Sequence, residues 1–327
     1  MQTLSQSLSQ SQLEAALSAA EDLDASPEER AEMLMEIAMG LQVRPKSPQQ
    51  LADAVRLYDR ALDIAPSQSA LLKARIRARK GTALQAMPDG DADTLDRAQE
   101  CFASAIDTLS LLGKPEEVAE AELNQGLVMQ ALCGLGRGRI TDAINAYHRA
   151  LRIFAREAYP QEYSVLHNNL AIAYLSMPAS DERGRMREGL AVQSFEEVLK
   201  VINLIDHPSE YAMINNNLGN ALQYASSSHV LENNLRALAA YDEALKVRNA
   251  RDTPLEYANT IANKANVLRC LVAEPDTTTD PLVDALALVR EARDLFEQHG
   301  DSQKASLMAD AAAEIRAELA QRGQRLN

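Results

Sequence analysis

The chain has 327 residues, with 47 acidic side chains against 33 basic ones and a formal net charge of −14. A face able to displace counterions from nucleic acid is not expected from that balance, which serves solubility instead. Aromatic residues make up only 4%, Trp is absent, and 13 Gly and 12 Pro are few for a turn-rich all-β chain, so a core of closely packed helices built on Ala, Leu and Met is expected.

In chain order, residues 1–9 are rich in Ser and Gln and are expected to be frayed. Ser11 to Leu23 fits a helix with Leu13, Ala16, Leu17 and Ala20 on one face. A repeat then begins. Small residues stand at Ala38, Gly81, Gly126, Ala171, Gly219 and Ala265. Eleven residues before five of them is a proline (Pro27, Pro115, Pro160, Pro208, Pro254), followed two residues on by Glu. Proline is tolerated in the first turn of a helix, and an acid there complements the helix dipole. Each such helix is followed by a second one with a small–ring–small face at i, i+4 and i+7. The sets are Ala54–Tyr58–Ala61, Ala98–Phe102–Ala105, Ala143–Tyr147–Ala150, Ala191–Phe195–Val198, Ala237–Tyr241–Ala244 and, more weakly, Ala285–Val289–Ala292. That spacing is one helix face, with room at its ends for another helix to approach. In four units a proline lies between the two helices, at Pro45, Pro88, Pro178 and Pro275. Six helical hairpins of about 46 residues follow from this period, with a last amphipathic helix from Ser302 to Gln321. The expected organisation is one array over residues 10–322 and a short tail at 323–327.

"NNLGNAL" (Asn216 to Leu222) with Ala237–Tyr241–Ala244, and "NNLAIAY" (Asn168 to Tyr174) with Ala191–Phe195–Val198, resemble the tetratricopeptide repeat family over almost the whole chain. The resemblance implies an all-α, right-handed superhelical solenoid with capping helices at both ends. The long units with a Pro-x-Glu lead-in look like bacterial arrays associated with CHAT proteases, although the array fills this chain. Lys80 and Lys264 stand where the family has Leu, which suggests looser packing or snorkelling stems.

With the small residue of each first helix taken as position 8, positions 2, 5, 9 and 12 fall within about 80° of each other. Positions 3, 7, 8, 10 and 11 carry the apolar residues and form the core face. The resemblance implies that the first group lines a concave groove. Its candidate partner-binding residues are Leu123, Leu127, Gln130, Asn168, Ile172, Leu175, Met213, Asn216, Asn220, Gln223, Asn259, Asn266 and Arg269. The wall grades from mixed, through an apolar middle, to an amide-rich end, which suits an extended peptide or a partner helix. It is not the Lys-rich clamp with which some family members hold a terminal carboxylate. At position 6, Asn124, Asn169, Asn217 and Asn263 suggest a structural ladder between neighbouring helices. Asn215 points to the packing side and needs a hydrogen-bond partner there.

Two loops offer a second surface. "CGLGRGRI" and "DERGRMREG" fall in the expected turns of the third and fourth hairpins, and would set Arg137, Arg139, Arg183, Arg185 and Arg187 on one basic edge for an acidic partner. The Gly-rich run lacks the preceding strand of a nucleotide-binding loop.

Catalysis has no nominee. The histidines do not pair with Cys or each other at metal-ligand spacing, and there is no GxSxG or HExxH. Cys101, Cys133 and Cys270 are too scattered for a disulfide framework, and Cys133 and Cys270 suit small buried hydrophobes. No cofactor or metal is expected. The N-terminus lacks the regions of a secretory signal, and no apolar run approaches the roughly 18 residues a membrane span needs, so a cytoplasmic chain without membrane association is expected. The leading expectation is a non-enzymatic protein-interaction scaffold holding a peptide or helix of another protein. The alternative is a small-molecule or signalling-peptide sensor on the same array, and an enzyme is the weakest reading. Oligomeric state is left open.

Overall fold

The computed structural model of the chain describes residues 17–18, 25–43, 45–88, 90–177, 182–225, 229–271 and 280–325. Among these residues thirteen helices are complete and there is no strand. They pair as the repeat predicts: α1 (Pro27–Val43) with α2 (Pro48–Ile64), α3 (Ala70–Gln85) with α4 (Ala92–Leu112), and α5 (Pro115–Gly134) with α6 (Ile140–Ala150). The same holds for α7 (Pro160–Leu175) and α8 (Glu182–Leu199), α9 (Pro208–Tyr224) and α10 (Val230–Leu245), and α11 (Pro254–Arg269) and α12 (Pro281–Gln298). The last helix, α13, is Ser302–Arg325. It runs past the expected end at Gln321, into the segment expected to be a tail. The N-terminal helix expected at Ser11 to Leu23 lies outside the described residues, except that Leu17 and Ser18 are helical and Leu17 packs on the first hairpins. Residues 1–9, expected from the sequence to be frayed, also lie outside them.

The helix starts follow from local chemistry. At α1, the Ser26 N–H donates to Glu29 Oε2 (2.8 Å) and the Glu29 N–H donates to Ser26 Oγ (3.3 Å), a reciprocal cap of two otherwise orphan donors. At α4, Asp91 accepts from the Thr94 N–H at 2.8 Å. Two later inter-hairpin links reuse one turn: Asn203 Oδ1 accepts from the N–H groups of Ile205 and Asp206, and Asn249 Oδ1 from those of Arg251 and Asp252. Such an amide mimics a backbone turn.

The chain forms two compact units, residues 1–160 and 161–327. In the first, α1 to α6 stack as three hairpins around Tyr58, Phe102 and Tyr147, all fully buried. In the second, three hairpins and α13 enclose Phe195, Tyr241 and Phe296. Burying each ring contributes about 2–3 kcal/mol. The predicted core face of α9 is buried as expected: Ile214, Leu218, Gly219, Ala221 and Leu222. Glycine is what lets the rings sit so close. A Cβ on Gly126 would lie 2.4 Å from Tyr147 Cε1, and one on Gly219 would lie 2.5 Å from Tyr241 Cε1.

Candidate functional site

Three sets of side-chain ties recur through the units, and they decide which groups remain for a partner. The first joins the two helices of a hairpin. The buried hydroxyl of Tyr58 donates to Gln42 Oε1 (2.8 Å), and that of Tyr147 to Gln130 Oε1 (2.9 Å). Tyr241 donates to Asn220 Oδ1 (2.7 Å) or Gln223 Oε1 (3.1 Å). Burial pushes all three phenols up from their ordinary pKa. Where the ring is Phe the pattern changes: Phe195 stands with Leu175, while opposite Phe102 the buried Gln85 Oε1 has no hydrogen-bond partner among the described residues.

The second set links the lead-in tyrosine of a first helix to a glutamate on its second: Tyr163 to Glu197 (2.8 Å), Tyr211 to Glu243 (2.8 Å) and Tyr257 to Glu291 (3.1 Å). The third joins neighbouring hairpins. Lys80 pairs with Asp59, and Lys264 with Asp242 at 2.5 Å. The two lysines that depart from the family pattern are therefore partly buried ionic ties to the preceding hairpin.

These ties revise the predicted wall. Gln130, Asn220 and Gln223 each direct a carbonyl oxygen to a core tyrosine. Asn216 accepts from Asn263 Nδ2 at 3.4 Å, a ladder contact of the expected kind. Asn124 and Asn169 instead donate to the carbonyls of Glu120 and Val165 in their own helices, each at 2.9 Å. An amide four residues from a carbonyl reaches it more readily than it reaches a neighbouring helix. Asn215 is buried and bonds the Tyr211 carbonyl (2.9 Å), and Asn259 bonds that of Leu255 (2.7 Å). Asn266 is half-buried, its carbonyl accepting from Cys270 Sγ at 3.4 Å. Cys270 itself is exposed, not the buried hydrophobe expected, and Cys133 lies within α5 rather than in the turn. Arg269 donates to Glu314 (3.2 Å) and Glu318 (2.6 Å) of α13. Leu123 and Leu127 are half-buried on α5, and Asn168 is half-buried on α7 with its Oδ1 unpaired among the described residues. Val165, Ile172, Leu175 and Met213 are exposed, at 38–45%.

The two units differ on this face. In the first it is braced by ion pairs between α3 and α5: Arg75 with Glu117 (2.7 Å) and Arg79 with Glu120 (2.7 Å). In the second, every position of the face on α7 and α9 is uncharged, and α11 adds only Arg269.

The basic edge is also revised. Arg183, Arg185 and Arg187 lie in the first turns of α8, not in a turn before it. Gly184 and Gly189 are simply carried within that helix. Arg183 and Arg185 are exposed, and Arg187 is half-buried. Arg137 is countered by Asp93 (2.8 Å) and Asp96 (2.5 Å), and Arg139 by Asp142 (3.0 Å). The expected turn of the third hairpin is present, with Gly136 and Gly138 at φ 76° and 81°, a region that favours glycine.

Sequence reasoning missed an open cleft of about 920 Å³ between α8 and α10, lined in part by Arg185, Glu188, Val192, Val230 and Arg236. Its lining carries both signs of charge, and Arg236 is already paired with Glu196 at 2.5 Å. Among the described residues no group of His, Cys, Asp and Glu is placed to hold a metal ion, and no helix is long and apolar enough to cross a membrane.

No family model matches the chain, and no curated protein matches it. Solved structures do. The apo quorum sensor NprR from B. thuringiensis superposes with a TM-score of 0.59 at 17% identity, covering 92% of this chain and 80% of that one. The signal transduction ATPase PH0952 from Pyrococcus horikoshii, which carries a tetratricopeptide repeat sensor, gives 0.56 at 14% identity and covers 87% of this chain. This chain spans 39% of that protein. With six hairpins of the expected period and these neighbours, the chain has the all-α fold of a tetratricopeptide-type helical repeat protein.

Proposed function

We propose that the protein is a non-enzymatic binding module that holds a peptide segment or helix of another protein on the first-helix face of its second unit. The observation that carries this reading is the exposed, uncharged lane on α7 and α9, where Val165, Ile172, Leu175 and Met213 stand open beside amides. Exposed apolar groups of this kind supply anchor contacts, and amides satisfy the backbone of an extended ligand. The first unit's face, cross-braced by Arg75–Glu117 and Arg79–Glu120, offers no comparable lane.

A sensor of a signalling peptide is the second reading. It is favoured by the neighbours, one a quorum sensor and the other bearing a sensor array. Both readings use the same lane. The test is capture of a partner by the full chain, compared with Ile172→Asp and Met213→Asp. Both side chains are exposed, so the fold is expected to survive, as circular dichroism checks. A partner held by the parent protein and released by both variants supports the lane. Equal capture by all three proteins overturns it. A peptide that raises Tm in proportion to its concentration, with no protein partner captured, selects the sensor reading.

A further inference from the structure

The lane has a chemically distinct end, and this inference rests on the binding reading above. On α13, Asp310, Glu314 and Glu318 are spaced four residues apart and so share one helix face. Two of them converge on the single guanidinium of Arg269, which sits at the C-terminal end of the α11 part of the lane. Glu314 remains 64% exposed and Glu318 41%. Asp310 is exposed one turn before them. One cation paired with two of these three carboxylates leaves a net negative end beside an otherwise uncharged lane. Leu307, also exposed, lies one turn before Asp310.

We propose that the occupant is an extended, apolar-rich peptide segment with a Lys or Arg side chain at one end, that side chain meeting the carboxylates of Glu314 and Glu318. Its apolar residues lie over Val165, Ile172 and Met213, and the amide of Asn168 faces its backbone. From α7 to α13 are three interhelical steps of about 10 Å each, a path that about nine extended residues span. An acidic segment is repelled at the α13 end, and a neutral one loses only the terminal contact.

The experiment selects binders from a displayed random decapeptide library with the full chain, with Glu314→Gln/Glu318→Gln, with Asp310→Asn and with Ile172→Asp. Thermal melts of each variant confirm folding. The parent is expected to enrich apolar peptides with a base at one end. The selected peptides are then measured by fluorescence anisotropy, with the base replaced by Gln or Glu. The base is expected to tighten binding about fivefold over Gln, and added salt is expected to reduce that preference. The double variant should lose the preference while still binding the Gln-ended peptide. Asp310 forms no ion pair among the described residues, so Asp310→Asn should keep the fold and weaken the preference in part. If the double variant folds poorly, Asp310→Asn alone decides. Enrichment of acidic or uncharged ends, or a preference that survives the carboxylate changes, overturns this proposal. If Ile172→Asp removes all binding while the ends make no difference, the lane reading stands and the charge inference falls. If Ile172→Asp changes nothing, the lane reading falls as well.

Discussion

At the scale of single residues, the hydroxyl–amide tie explains why a helical wheel misreads this chain. The wheel gives the azimuth of Gln130 or Gln223, and it is toward the groove. It does not give reach, and a glutamine is long enough to bend to a tyrosine hydroxyl on the facing helix. The clue was nevertheless present within the chain. Gln or Asn stands at the matching position for Tyr58, Tyr147 and Tyr241 and Leu175 for Phe195, while the Gln85 that goes with Phe102 is the exception and its Oε1 has no hydrogen-bond partner among the described residues. That internal pairing makes a prediction. Tyr147→Phe removes the hydroxyl and leaves the amide of Gln130 without its partner, and should cost about 1–2 kcal/mol. Adding Gln130→Leu recreates the pair found naturally in the fourth hairpin, and should recover most of the loss. Urea unfolding of the two single variants and the double variant gives the coupling. Additive losses would show that the bond contributes nothing of its own.

At the scale of elements, the period and the core face were legible because small residues, rings and lead-in prolines recur in step, and close packing requires them. Two things were not. The repeat register sets "DERGRMREG" in the turn of the fourth hairpin, yet α8 runs through Gly184 and Gly189, since intrinsic propensity is a weak prior once a helix has a packed face. The Lys80–Asp59 and Lys264–Asp242 ties join residues of successive hairpins, and only the stacking brings them together. The difference between a packed and an unpacked helical glycine is testable. Gly126→Ala sets a methyl 2.4 Å from Tyr147 Cε1. Overpacking of that kind outweighs the gain in helix propensity, for a net loss of about 1–2 kcal/mol. Gly189→Ala meets nothing within 4 Å and should stabilise by up to about 1 kcal/mol. Thermal melts of the two variants should therefore move in opposite directions. Two shifts of the same sign would refute the close approach of α5 and α6.

At the scale of the molecule, stability in a repeat array is spread by nearest neighbours, so an end can loosen while more distant hairpins stay closed. In the second unit α13 is the end element, and its fully buried side chains are few: Ala312 and Ile315 among the described residues. The Arg269 pairs with Glu314 and Glu318 therefore matter more to α13 than similar pairs would to a central helix. They are partly exposed, so together they contribute about 1 kcal/mol. Arg269→Ala should raise the opening of α13 and of the adjoining part of α12, seen as about fivefold faster amide exchange over residues 302–322. Exchange in α7 and α8, which belong to the far hairpin of the same unit, should be unchanged. That outcome would make α13 a separately opening cap whose carboxylates are held in place by the array's own last groove residue. Faster exchange spread evenly from α7 to α13 would instead mean that the unit opens as one cooperative block, and that Arg269 supports the whole of it.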